Sequence, residues 1–535
     1  MHFIPVYLIF IPVLTALFLY VVKSRHMNWL ALVAQALMTV LLVLYYRAFS
    51  GNYEDTMIVL GGWNEWIGIS LVNDEISVSF MFLSVFSWWM VLIYTFEKGN
   101  TNHNFLFFLM FLQGVFLGLL QTNDLFNMFV FMELITILVT ILIAFKKTGD
   151  AYRAGLFYLL ISEVAMMMFL LSIILVYNSF GTINILLVRD AIAATDSLTV
   201  VRFSYALFMV AVMVKSAFVP LYAWLPRAHG VAQSGISALL SGLVVKGGLY
   251  LFIRLNQMYE FANLNYTDFF YWIGALTAVV GVMFALSQKD MKQILAYHTI
   301  SQIGIVMMGL SKLHDPDMFI GGFLHIFNHA LFKSLLFLGA GVIISAYRTK
   351  KVTDIRGVMR TMPFVSIFMI VGMLSITGAP FFNGFISKAI IKYGVIDSGV
   401  RYWILFIVNI GTATSFIKMS QIFFGPKTMT IRIRKPLKNL TLMSLAFACV
   451  MLGNFYIPIS EGFFGFQVRT IDIGTWANFF DYFLALSIGY VFYRFVIAPD
   501  PKAVRYIREH KMTFQQANYL FVVMIIVLLT VFVWW

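Results

Sequence analysis

Cysteine is almost absent from this chain. One of 535 residues is cysteine, Cys449, so no internal disulfide can form and no cysteine-based metal cluster is expected. Charge is scarce too. Asp, Glu, Lys and Arg make up 11% of the residues, against 61% hydrophobic ones, which is membrane-protein composition and excludes an ordinary soluble core. There is no glycine-rich phosphate loop and no dinucleotide fingerprint, so the chain is expected neither to burn ATP nor to hold a nucleotide. No cofactor and no resident metal are expected, and no stretch reads as a soluble domain. The first apolar run ends in "KSRH" without a small-residue cleavage site, so it is expected to stay as a helix. Acidic side chains are the rarer sign, 24 against 37 Lys and Arg. The basic excess is gathered in particular loops, which argues for membrane orientation and against nucleic-acid binding.

What is plentiful is apolar sequence in runs near the length that crosses a bilayer, about 20 residues of helix. Sixteen spans are predicted: 2–22, 28–49, 75–96, 104–121, 124–145, 154–177, 201–226, 233–254, 269–287, 291–310, 318–346, 363–395, 401–424, 439–458, 478–497 and 514–535. With the N-terminus outside, the inner turns carry Lys23 and Arg25, Lys98, Lys146, Lys147 and Arg153, Arg227, Lys289 and Lys292. Later inner turns hold Arg348 to Arg360, Lys427 to Lys438, and Lys502 to Lys511. The first outer loop holds Glu54, Asp55, Glu65, Asp74 and Glu75. This positive-inside pattern predicts a multi-pass protein of the cytoplasmic cell membrane. "INILLV" in loop 178–200 is too short to span and is expected to lie along the outer surface. The basic stretch 501–511 is expected at the inner headgroups.

Two spans are broken. Span seven contains Pro220 after "KSAFV", and span twelve contains Gly378, Pro380 and Gly384 in "MLSITGAPFFNGFISK". Proline removes an amide donor and clashes with the preceding turn, so the backbone must open there. The breaks are five helices apart, so the second copy enters the membrane the other way up, as in an inverted repeat around a central ion path.

The same region holds ionisable residues at mid-membrane depth, where a charge costs roughly 3 kcal/mol on insertion scales and is tolerated against a partner or water. Glu133 is expected to pair with Lys215. Burial and a movable acidic partner pull a lysine's proton affinity in opposite directions, so a pair that opens and closes can drive proton uptake and release. Lys246 has no obvious acid nearby in sequence, with Glu163 a weaker candidate. His325, His329 and Lys333 recur at i, i+4 and i+8 on one helix face. A neutral imidazole can accept on one nitrogen and donate from the other, which suits a proton stripe. The rival is a metal or haem site, which needs more ligands than are at hand. His298 is a second weaker candidate. Lys388, just past the second break, is the far end of the line. Lys392, one turn on, is expected to snorkel, and Lys418 is left out.

"KSAFVPLYAWLPRAH", "FNHALFKSLLFLGAG" and "DLFNMFVFMELITI" resemble the antiporter-like membrane subunits of respiratory complex I and of Mrp-type Na+/H+ antiporters, over about residues 75–425. "GGWNEWIGISLVNDEIS" is most similar to the D-subunit branch of the Mrp antiporters. The resemblance implies an all-α polytopic fold with two inverted five-helix repeats. It divides this chain into helices one to three (1–103), a first repeat (104–254), a second repeat (269–424) and added C-terminal helices (439–535). It also implies a hydrated relay through Glu133, Lys215, Lys246, His329 and Lys388. The expected function is proton translocation in a multisubunit cation/proton antiporter, with other membrane subunits, protons and Na+ as partners. The alternatives are the same relay in a redox-driven complex, such as complex I or a membrane-bound hydrogenase, and an inert scaffold. The chain is not expected to be an enzyme by itself.

Overall fold

The computed structural model describes every residue except Met1, 23–27, 53–55, 97–101, 196–197, 263, 265, 313–314, 427–435 and Trp535. Lys23, Arg25, Lys98, Glu54, Asp55, Lys427, Arg432, Arg434 and Lys435, all used above for orientation, therefore lie outside the described residues.

The chain is helical nearly throughout. The helices are α1 (Ile4–Val21), α2 (Asn28–Phe49), α3 (Glu75–Phe96), α4 (His103–Leu119), α5 (Leu125–Ala144), α6 (Gly149–Phe180), α7 (Ile185–Ala193), α8 (Leu198–Lys215) and α9 (Trp224–Val231). They continue as α10 (Ser234–Leu239), α11 (Val245–Met258), α12 (Thr267–Ser287), α13 (Met291–Leu310), α14 (Pro316–Tyr347), α15 (Val358–Thr361), α16 (Pro363–Thr377), α17 (Asn383–Gly394) and α18 (Gly399–Ser420). The C-terminal part holds α19 (Pro436–Asn454), α20 (Tyr456–Phe463), α21 (Trp476–Phe492), α22 (Lys502–Glu509) and α23 (Phe514–Leu529). Among the described residues 14 helical segments are long and apolar enough to span, and α4 and α16 are shorter apolar helices. Together they occupy the sixteen predicted positions, so this is a multi-pass membrane protein. A short hairpin pairs Ile58–Val59 with Ser70–Leu71 in the loop between α2 and α3, a detail the all-helical reading passed over. "INILLV" enters α7, capped by the Asn184 side chain on the amides of Leu186 and Leu187.

Helix burial explains where the polar residues can sit. The segment Ser234–Met258 is fully buried, whereas Trp476–Ile497 is 11% buried. The first is surrounded by protein, and the second faces outward along most of its length. The 32-residue α14 packs on α10, α13, α16, α17 and α19 and joins the two halves. At one end of the bundle Arg254 donates to both oxygens of Asp74 at 2.6 Å, tying α11 to the start of α3. Burial opposes the charge on Asp74, but Arg254 outweighs it and holds the carboxyl below its ordinary value.

Candidate functional site

The first break starts earlier than its proline suggests. α8 stops at Lys215, Ala217 takes a positive φ of 55°, and the helix resumes at Trp224, leaving Pro220 inside the gap. The Trp224 indole donates at 2.8 Å to the carbonyl of Val214, which also accepts from the Ala217 amide at 3.1 Å, and Thr277 accepts from the Val219 amide at 3.1 Å. Side chains of α9 and α12 thus help to satisfy backbone groups at the break, as a dry interior requires.

Lys215 is buried at the end of this half-helix. Its ammonium donates to the Thr136 hydroxyl on α5 and lies 6.0 Å from the centre of the Tyr158 ring. Thr136 is three residues from Glu133, on the same helix face. The charges of Glu133 and Glu163 both act on Lys215, and the two carboxyls act on each other. Glu163 therefore sits with Glu133 and Lys215, because α6 packs beside α5 and α8. Oε1 of Glu133 is buried without a protein hydrogen-bond partner among the described residues.

The chain closes up between Lys215 and Lys246. A Cβ on Gly248 would meet Ser216 Oγ at 2.4 Å, so α8 and α11 touch backbone to backbone there. Just before Lys246 the helix widens into a π-turn at Leu240–Val244. Such turns free a carbonyl from the regular ladder, and here Ser241 O accepts from the Lys246 ammonium. Nothing in "SALLSGLVVK" announced this turn. Lys246 also lies 2.6 Å from His329 Nδ1, and Ser241 Oγ lies 2.8 Å from Thr299 Oγ1.

From His329 the line continues along α14. The rings of His329 and His325 are 6.4 Å apart between centres. His325 Nδ1 is 2.8 Å from Ser387 Oγ and its Nε2 is 3.1 Å from Gln302 Oε1. Ser387 also accepts from Asn328 at 3.0 Å and immediately precedes Lys388. Lys333 leaves this line: its ammonium donates to Leu295 O on α13 at 2.8 Å. It faces a side group of buried imidazoles, His298 against Phe416 and His229 stacked on Phe337 at 4.5 Å. Both nitrogens of each of these two histidines lack a protein partner among the described residues. His229, two residues past Arg227 in α9, went unremarked in the sequence because a lone histidine beside a predicted membrane end reads as a surface residue.

The second break repeats the first with different caps. α16 ends on Gly378 in the left-handed region, φ 80°, and Pro380 and Phe381 fill the gap before α17. Gly384 lets α17 approach, since a Cβ there would lie 1.9 Å from Ser375 O. Lys388 reaches back from α17 and donates to Ile376 O at 2.7 Å, at the negative end of the α16 dipole. Lys392 does not simply snorkel. It pairs with Asp481 of α21 at 2.8 Å. Lys418 is buried and donates to the carbonyls of Ala285, Leu286 and Gln288 at the end of α12, a structural cap.

The chain is similar to several known proteins. The D subunit of a Na(+)/H(+) antiporter of Alkalihalophilus pseudofirmus is 30% identical over 387 residues, covering 71% of this chain and 78% of its own. In the structure of an Mrp complex from Dietzia sp., one chain superposes with a TM-score of 0.76 at 21% identity, covering 95% of this chain and 99% of that one. A chain of an archaeal respiratory complex, the membrane-bound sulfane sulfur reductase, gives a TM-score of 0.78 at 23% identity, covering 92% and 99%. The fold is thus the antiporter-like membrane fold, with a broken helix in each of two inverted five-helix repeats and added C-terminal helices. The family model described as NADH:quinone oxidoreductase/Mrp antiporter, TM, matches residues 122–418. That stretch is more than half of the chain and includes both breaks and every residue from Glu133 to Lys388, so the chain belongs to the NADH:quinone oxidoreductase/Mrp antiporter transmembrane family.

Proposed function

We propose that this chain is the proton-translocating subunit of a multisubunit Na+/H+ antiporter in a cell membrane, with its N-terminus on the outer side. The observation that carries the reading is the 2.6 Å contact between Lys246 and His329 Nδ1. It joins α11 to α14, and so links the residues of one broken helix to those of the other. Residues 104–254 and 269–424 then act as two halves of one path, met at that contact.

In this reading Glu133, with Glu163 beside it, gates Lys215. An acidic partner that approaches or withdraws changes how firmly a buried lysine keeps its proton, and the cluster titrates as a unit. Lys246, His329 and His325 hand protons along the middle, and Lys388 delivers them at the second break. Buried polar atoms without protein partners among the described residues line the route, including Ser216 Oγ, His329 Nε2 and Gln302 Nε2. Buried polar groups are rarely left unpaired, so water is expected at these points. Lys333, His298 and His229 form a side branch toward α13 and α9.

The name of the Alkalihalophilus relative favours the antiporter over a redox-driven complex, and the likeness to a respiratory complex keeps the second reading in view. Isolation in mild detergent separates them. Copurification with membrane subunits alone, together with Na+-dependent proton movement in proteoliposomes, supports the antiporter. Copurifying hydrophilic iron–sulfur subunits with no Na+-dependent movement would overturn it in favour of the redox-driven complex.

A further inference from the structure

α21 lies beyond the residues that the family model matches, yet it reaches the second break. It packs along α18, and between α17, α18 and α21 there is a cavity of about 250 Å³. Its lining includes Gly378, Lys388, Lys392, Asn409, Asp481 and Tyr482. A water needs on the order of 15 Å³ of such space, so several fit. Asn409 Oδ1 is buried with no protein partner among the described residues, which suits a wet wall. Tyr482 fastens α21 to the end of α16 by a 3.1 Å contact with Thr377 Oγ1.

Asp481 is the one carboxylate in this lining. It holds Lys392 at 2.8 Å, and both side chains are partly exposed, Lys392 at 37% and Asp481 at 48%. Lys388 and Lys392 are four residues apart on one face of α17, a rise of about 6 Å. Lys388 itself has no carboxylate within salt-bridge distance among the described residues and donates to a backbone carbonyl. The first break keeps its acids, Glu133 and Glu163, on adjacent helices of its own half. The second break has its acid on an appended helix.

We propose that Asp481 is the movable acidic partner of the second broken helix, alternating across this cavity between Lys392, which it holds here, and Lys388. The proposal rests on the proton-relay reading above. A carboxylate that approaches the Lys388 amine favours its protonated form, and one that returns to Lys392 removes that support. The proton then passes from Lys388 to cavity water and out at that face of the membrane. Asp481 acts through Lys388 and is a positioning residue.

The test uses the assembled complex in vesicles, with Asp481→Asn, Asp481→Glu, Lys388→Ala and Glu133→Gln compared at matched amounts of complex. A second readout is labelling of Ala389→Cys, on the cavity wall, by a membrane-impermeant thiol reagent in a Cys449→Ala background. Asp481→Asn should slow proton-coupled transport about tenfold or more, Asp481→Glu should restore most of it, and labelling should be unchanged by either. Normal transport by Asp481→Asn, with Lys388→Ala and Glu133→Gln inactive, would overturn the proposal and leave the relay standing. Transport by all of these variants would overturn the relay itself. Loss of labelling together with transport in Asp481→Asn would mean that Asp481 only holds α21 in place, and would likewise overturn it.

Discussion

The two broken helices have similar backbones and unlike chemistry. In the first, the lysine ends the leading half-helix and meets a side-chain hydroxyl, Thr136, with two carboxyls close by. In the second, the lysine sits on the trailing half-helix and meets a backbone carbonyl, Ile376 O. A backbone carbonyl at a helix end cannot swing away, whereas Glu133 and the Thr136 hydroxyl can rotate. The comparison teaches that a repeated fold keeps the gap, while its caps and the charge that works it can come from different places. In the first half it comes from neighbouring helices, and in the second from α21.

The sharpest way to break the comparison is to remove each lysine in turn. Lys215→Ala and Lys388→Ala should each lower proton-coupled transport by roughly a hundredfold or more, the scale of losing a positioned proton carrier, while the protein still inserts. Counterflow assays on vesicles with matched subunit content measure this. If only one of the two matters, the halves are not equivalent stations of one path.

Next in size is a folding effect confined to the second break. Gly384→Ala places a methyl carbon against the Ser375 carbonyl, and backbone cannot step aside cheaply. The expected outcome is a several-fold fall in assembled complex, read by immunoblot of membranes, comparable with a severe overpacking cost of about 1–3 kcal/mol. Substituting a residue in the first gap whose Cβ already exists, such as Ala217→Gly, should be far milder.

A smaller effect tests the hydroxyl. Thr136→Val keeps the shape but removes the acceptor for Lys215, so transport should fall by a few-fold, the net worth of one typical hydrogen bond, about 1 kcal/mol. Ser387→Ala should do likewise by removing the hydroxyl that His325 meets at 2.8 Å one residue before Lys388. If Ser387→Ala alone is silent, protons reach Lys388 by another route.

The smallest effect concerns the strap that follows α21. Its Asp500 accepts from Arg508, with Lys289 adding a second cation at 2.7 Å, and these hold the carboxyl at about 2. A carboxyl held below its ordinary value lends stability that is complete above that value and is lost only as pH falls toward about 2. Docking of the strap, followed by protease cleavage near Arg505, should therefore be flat from neutral pH down to about 5. Loosening in that range would assign the docking to another group.

Much of the site could be read along the chain because lipid makes polar residues conspicuous. Glu133, Lys215, Lys246 and Lys388 stood out as charges in apolar runs, and the prolines and glycines marked both gaps. Other parts depend on contacts between distant segments. Glu163 is a possible partner for Lys246 along the chain, but α6 packs beside α5 and α8 and brings it to Lys215. Lys333 shares a face with His329 by spacing but points to Leu295, because a helix face is wide enough for neighbours to diverge. His229 and the π-turn left no trace, the first because its burial comes from Phe337 across the bundle, the second because a widened turn uses the same residues as a regular one.

By itself the sequence determined the class of the protein, the number of spans, both interruptions and the inventory of titrating groups. Each of these follows from local rules: bilayer thickness, proline geometry and the cost of charge in hydrocarbon. Only the tertiary structure decided who partners whom: Thr136 for Lys215, His329 for Lys246, Ile376 for Lys388 and Asp481 for Lys392. Those choices rest on distances of a few ångströms between side chains and segments brought together by packing, which no periodicity encodes.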